Sequence, residues 1–446
     1  MTNQTLETTC CVVGGGPAGM MLGCLLARAG VAVTVLEKHK DFNRDFRGDT
    51  VHPSTLEIMG ELGILDDFLK VPHQKLTSAG GLYGDFSFTA ADFASLPTHC
   101  NYVALMPQWD FLDFLAGKAK QFPSFTLRML NEATDLIAAG GRVQGVQAKT
   151  PDGTAEIRAD LVVGCDGRHS LTRQAAGFEV QEFGVPIDVL WFRINATHTT
   201  PEHLLGNLNY GKALILIPRG DYYQAGLVIR KGSFEQIREQ GLEEFRQGLR
   251  LMAPFLGEQV EQLQNWDQVK LLSVQINRLR QWHRPGLLCI GDAAHAMSPA
   301  GGVGINLAIQ DAVAAANILA GPLREGRVSH ELLESVQRRR EFPTRAVQFL
   351  QVNMHKGLMT VFRNPGPATA PWQLKVMVNI PGIQHGMARV LGMGIRQEHI
   401  AGARKQPCCN VPLLKKIAIG AGLALAGAVI AGRLIRACRK PSYGWS

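Results

Sequence analysis

Between an apolar, β-rich run at residues 9–13 and an Ala- and Leu-rich stretch at residues 20–29 stands GGGPAG, Gly14 through Gly19. Gly30 closes the helix, and a second buried strand, VAVTVL at residues 31–36, ends at Glu37. The order strand, glycine turn, helix, strand is a βαβ unit. Gly14, Gly16 and Gly19 form GxGxxG. The first permits a tight turn, the second lets a pyrophosphate approach the backbone, and the third lets helix and strand touch. Pro17 and Ala18 sit inside the same cofactor-binding turn. Free N–H groups and the helix dipole then hold the anion. Glu37 stands where a carboxylate grips ribose hydroxyls, so the adenosine carries no 2′-phosphate and the cofactor is FAD or NAD.

Two further strands run into glycine. Residues 159–163 lead into GCDGRHS, and residues 286–290 lead into GDAAHAMSPAGGVGIN and a helix over 305–320. In the second segment Asp292 follows a buried strand and is placed for ribityl hydroxyls. Gly301, Gly302 and Gly304 let backbone approach a flat ring, and the helix starting near Ile305 aims its positive end there. That end stabilises a reduced flavin, which favours FAD over NAD. His295 reads as a loop-bonding residue rather than an acid/base group. Residues 189–195, 213–218 and 224–229 read as strands of a separate antiparallel sheet, on which Trp191, Phe192, Tyr222 and Tyr223 are either core or the wall of an aromatic pocket.

The expected fold is therefore α/β, α+β overall. A discontinuous Rossmann-like FAD-binding domain takes residues 1–75, 101–185 and 275–345. An inserted antiparallel β-sheet substrate domain takes 76–100 and 186–274. A C-terminal helical region at 346–410 and a basic-flanked hydrophobic tail at 411–446 follow.

The formal charge of +8, from 46 basic and 38 acidic residues, does not point to nucleic acid. Residues 401–446 hold eight basic residues and no acid, so the body is neutral and the excess belongs to the tail. There, residues 417–432 (IAIGAGLALAGAVIAG) carry no charge, between Lys415-Lys416 and Arg433. As a helix this run is about 24 Å long, which flanking Lys and Arg extend to marginal spanning length. Small residues at every fourth position suit helix pairing in lipid. The tail is expected to attach the protein to a membrane through residues 411–440; the alternative is an Ala/Gly helix buried on the body. The nine cysteines make no CxxC and no zinc spacing. Their place in apolar runs, and the lack of a secretory signal, suit a cytoplasmic body; no metal is expected.

These motifs together resemble the class A FAD-dependent aromatic monooxygenases, the para-hydroxybenzoate hydroxylase-like group that includes ubiquinone-biosynthesis hydroxylases. The resemblance covers residues 9–345. It rests on GGGPAG with Glu37, on Asp166-Gly167 with Ser170 and Arg173, and on Gly291-Asp292 with the loop to Asn306. It implies that Arg47 and Gln108 contact FAD, that Asp166 and Gly167 lie near FAD and the pyridine nucleotide, and that Ile305 and Asn306 cradle the flavin. It also implies NAD(P)H as co-substrate, O2, and hydroxylation of an aromatic, quinol-like or prenylated substrate through a flavin C4a-hydroperoxide. No protein nucleophile is required. The same fold hosts prenyl-chain reductases, the leading alternative, and a non-enzymatic escort is a more distant one. No WxWxIP stretch points to a halogenase.

Overall fold

A computed structural model describes residues 2–43, 50–195 and 206–402. Arg47 and the tail at 411–446 lie outside the described residues.

The nucleotide-type sheet forms around the first strand, Thr2–Val13. It pairs in parallel with Gly153–Gly164 on one side and Val33–Glu37 on the other. Leu287–Cys289 and Phe125–Met129 extend the parallel array outward. Strands buried on both faces are mostly apolar, and Val33–Glu37 is buried at all five positions, with Thr34 and Glu37 its polar members. The register sets Val13 beside both Gly164 and Leu36. The strand ends carrying the motifs therefore finish on one edge. The helices Pro17–Arg28 and Gly304–Arg324 pack together, with Ala18 and Ala308 both within reach of Gly291. By length and composition the apolar run Ala300–Arg324 would cross a membrane, yet 72% of its apolar window is buried. It is a core helix.

The sheet is not wholly parallel. A hairpin of Glu132–Ala139 and Arg142–Thr150 adds two antiparallel strands along Gly153–Gly164. The sequence reading did not find it, because the first of these strands is largely solvent-facing and has no apolar face to betray its period.

The second sheet has seven strands in the order Lys270–Leu272, Ile187–Asn195, Tyr222–Arg230, Lys212–Pro218, Gly206–Asn209, Ser78–Tyr83, Phe86–Asp92. One expectation needs correcting here: the sheet is mixed, since Gly206–Asn209 runs parallel to Ser78–Tyr83. Strand alternation divides its aromatics. Leu190, Phe192 and Ile194 join Leu249 and Leu256 in one core, while Val189 and Trp191 join Val228 and Phe362 on the opposite face.

Three helices follow, His330–Val361, Trp372–Asn379 and Ile383–Gly392. The chain then returns to the body: Ile400 N–H donates to Glu61 (2.7 Å) and Asn317 Nδ2 donates to the His399 carbonyl (2.8 Å).

Candidate functional site

Four strand ends converge on the carboxyl edge of the first sheet, where open α/β sheets bind ligands. Gly14 holds φ +105°, and a Cβ there would stand 2.5 Å from the Cys165 carbonyl oxygen. The two turns can only lie this close because the residue is glycine. A Cβ on Gly19 would strike the Gly14 carbonyl. Gly16 differs, because among the described residues a Cβ there meets no atom within 4 Å. It is the N-cap of the first helix, with Pro17 at the first turn and no side-chain cap. The helix N-terminus thus faces open space with its N–H groups uncapped, the arrangement that favours a phosphate. Beside it Glu37, 9% exposed, accepts from Gly15 N–H (3.1 Å) and His39 N–H (3.0 Å).

Asp166 and Gly167 form the next turn. The Asp166 carboxylate accepts from Thr172 N–H and Thr172 Oγ1–H, both at 2.9 Å, while Ser170 caps the short helix Leu171–Ala175, its Oγ accepting from Arg173 N–H at 3.1 Å. Arg168 reaches across to Asp292, its Nε–H donating to Oδ2 at 3.1 Å and its Nη2–H to the Met297 carbonyl at 3.2 Å. Arg173 Nη2–H donates to the Arg168 carbonyl. The two turns are therefore tied by an arginine that the sequence reading did not single out. Both members keep partial exposure, 24% and 32% of their side chains, so the Asp292 carboxylate has a free edge for a ligand.

The glycine loop beyond Asp292 is held from two sides. Gly302, at φ +63°, is packed so closely on Thr50 that a Cβ would strike its hydroxyl. Its carbonyl accepts from Thr50 Oγ1–H (3.0 Å) and pairs with His52 Nε2 (3.1 Å). From the other side, Gln351 Nε2–H donates to the Ser298 and Ala300 carbonyls (3.0 and 2.9 Å), and Ser298 Oγ pairs with His355 Nε2 (2.9 Å). Burial lowers His52 to about 4, against the opposing effect of its backbone hydrogen bonds, and burial likewise lowers His355 to about 4. The helix then begins at Gly304, again without a side-chain cap. Ile305 is partly buried against the core of the first sheet. Asn306 is buried, its side-chain oxygen accepting from Ser54 and from Thr55 Oγ1–H (3.1 Å). It fixes the loop through its side chain and leaves its backbone for a ligand.

His295 belongs to the scaffold. Its Nε2 pairs with Asp311 at 2.6 Å, and Asp311 Oδ2 also accepts from Gly291 N–H at 3.1 Å. Arg340 Nε–H donates to Asp311 Oδ1 (2.8 Å), and its Nη1–H reaches Glu398 at 3.3 Å. All four side chains are buried. Burial alone would raise the Asp311 carboxyl, but the charges and hydrogen bonds of His295 and Arg340 outweigh it and hold it below the usual range.

Gln108 opens the helix Gln108–Ala119 and is half-buried. Phe192 and Tyr223 are core residues, Phe192 meeting Phe245 edge-on at 5.5 Å. Tyr222 lies beneath the Arg193 guanidinium at 3.9 Å. The six described cysteines are buried free thiols; burial pushes Cys11 up to about 12.

The family described as "FAD binding domain" matches residues 7–350. A 6-methylpretetramide 4-monooxygenase of Streptomyces rimosus is 32% identical over 369 residues, 80% of this chain and 86% of that protein. Among solved structures, the anhydrotetracycline hydroxylase OxyS from Streptomyces rimosus superposes with TM-score 0.70 at 23% identity, covering 91% of this chain and 80% of its own. The p-nitrophenol 4-monooxygenase PnpA of Pseudomonas putida DLL-E4 superposes with TM-score 0.68 at 18% identity, covering 95% and 98%. At those identities the two structures are similar in fold.

Proposed function

The chain belongs to the FAD-binding family of class A aromatic monooxygenases and is an FAD-dependent oxidoreductase; from that premise we propose that it uses NAD(P)H and O2 to hydroxylate an aromatic or quinol-like substrate. The observation that carries the reading is the convergence of the Gly14–Gly19 turn, Glu37, the Asp166–Gly167 turn and Asp292 on one sheet edge, with the Gly304 helix terminus beyond.

The residues fit the cofactor. Gly16 has room for a diphosphate against the N–H groups of Pro17–Arg28, and Glu37 is oriented by two backbone donors toward ribose hydroxyls. Asp292 would take the ribityl chain, steadied by Arg168. The bound flavin supplies the redox and oxygen-transfer chemistry. Gly302, Gly304, Ile305 and Asn306 would present backbone to the ring, and the uncapped start of Gly304–Arg324 would stabilise the negative charge of a reduced flavin. Asp166 shapes its turn by accepting from Thr172, and Gln108 would add to the cofactor contacts, as the resemblance also implies for Arg47, which lies outside the described residues. The glycine loop is held in place by His52, Ser298 and Gln351.

The relatives' names put 6-methylpretetramide and anhydrotetracycline into the test panel beside simple phenols, quinols and prenylated analogues. NAD(P)H oxidation by the yellow holoprotein, stimulated by one of these and yielding a product heavier by one oxygen, is the expected result. Stimulated oxidation that saturates a prenyl chain without added oxygen would replace the hydroxylase by the reductase, and a colourless protein would remove both. We further propose that residues 411–440 tether the body to a membrane. Deleting 411–446 should then release flavin-loaded protein from the tight, salt-resistant membrane fraction.

A further inference from the structure

Eight of the eleven exposed large apolar side chains among the described residues fall within residues 342–387. Phe342, Phe349, Leu350 and Met354 recur on the outer side of His330–Val361, and Trp372, Val376 and Met377 on the next helix; Trp372 is 69% exposed. The same segment has no acid. From 342 to 397 the sequence contains Arg345, Lys356, Arg363, Lys375, Arg389 and Arg396 and neither Asp nor Glu. All six are exposed. Arg345 is offset by Glu341 at 3.8 Å, but no carboxylate pairs with Lys356, Arg363, Lys375 or Arg389 among the described residues. Lys375 instead lies over the Phe86 ring at 5.4 Å.

We propose that this helical cap is a docking surface for an anionic lipid bilayer, separate from the tail. Bulky apolar groups interspersed with cations that no carboxylate pairs with among the described residues are what an interfacial site needs. The apolar groups enter the headgroup boundary and the cations meet lipid phosphates. A second copy of the chain fits poorly, because two such surfaces would repel. The inner side of the same long helix holds the glycine loop through Gln351 and His355. Docking would leave that loop one helix width, about 10 Å, behind the bilayer surface, where, on the proposed hydroxylase reading, an apolar aromatic substrate partitions.

The test is hydrogen exchange of the full-length holoprotein with vesicles of phosphatidylcholine, alone or with about a third phosphatidylglycerol. The expected result is protection of peptides 342–361 and 372–392 on the anionic vesicles only, weakening with salt. In a charge-reversed variant, Lys356→Glu with Arg363→Glu and Lys375→Glu, the protection of these two peptides on anionic vesicles should fall at least about tenfold at low salt even while the tail holds the protein there, since each basic group near such a surface is worth about 1 kcal/mol, roughly fivefold. Its flavin absorbance should be unchanged, which reports the oxidoreductase reading separately. Protein held on the vesicles with the cap unprotected would overturn the proposal. So would protection that grows with protein concentration without lipid, which would make the cap a contact between copies.

Discussion

Gly14 and Gly16, two residues apart in one turn, show how differently one residue type is used. Gly14 is required by the protein itself, since its φ of +105° and the Cys165 carbonyl exclude a side chain. Gly14→Ala should destabilise the fold by about 2 kcal/mol or more, read as a lowered urea midpoint even without flavin. Gly16 meets no described side chain but is the N-cap, where Ala is poorer than Gly, so Gly16→Ala should cost the apoprotein no more than about 1 kcal/mol. It should still cost at least about tenfold in FAD affinity, measured by titration. Equal FAD binding by Gly16→Ala and the parent would show that the space at the helix terminus is not the diphosphate site. This contrast was partly legible in the sequence, because GxGxxG and Glu37 lie within one short βαβ unit. The Arg168–Asp292 pair was not, because 124 residues separate its members and no local spacing relates them. Arg168→Ala should weaken FAD retention while leaving the Asp166–Thr172 hydrogen bonds intact.

At the scale of elements, the returning C-terminal segment acts as a clasp. Glu398 is fully buried and receives Arg340 from within and Arg339 at 2.7 Å from the rim. Removing one member of a buried ionic cluster strands the others. Glu398→Ala should therefore cost about 3 kcal/mol or more, seen as a large fall in Tm of the holoprotein. Arg339→Ala, whose side chain is half exposed, should cost under about 1 kcal/mol. A small effect of Glu398→Ala would show that the clasp does not secure the body. Elements with strong apolar periodicity, such as the helix Gly304–Arg324, were readable from sequence to within a few residues. The parallel pairing of Gly206–Asn209 with Ser78–Tyr83 was not. Strand direction is set by how distant segments meet, and alternation is the same in either sense.

For the whole molecule, acid is the vulnerable side. His52 and His355 stay neutral in the fold down to about pH 4, whereas unfolded histidine takes a proton near 6.5. Between those values the unfolded chain binds more protons, so stability is full above about pH 6.5 and declines as pH falls toward 4. The slope is at most about 1.4 kcal/mol per pH unit for each histidine. Urea unfolding at pH 7, 6 and 5 should show the decline, and His52→Gln should flatten it; a pH-independent midpoint would contradict the burial of both rings. Since both side chains hold the glycine loop, flavin should be released in the same range.

The first strand, Thr2–Val13, lies between partners drawn from residues 33–37 and 153–164, and the latter is in turn bordered by 287–289. The loop those strands support is then secured through Arg340 and Glu398. Contacts of such long sequence separation form slowly, after local helices and hairpins. During synthesis the motif nearest the start of the chain must therefore wait for the segment around residue 398 before its surroundings are complete. Cofactor capture is then a late event in maturation, and a cell short of flavin would accumulate chains halted just before it.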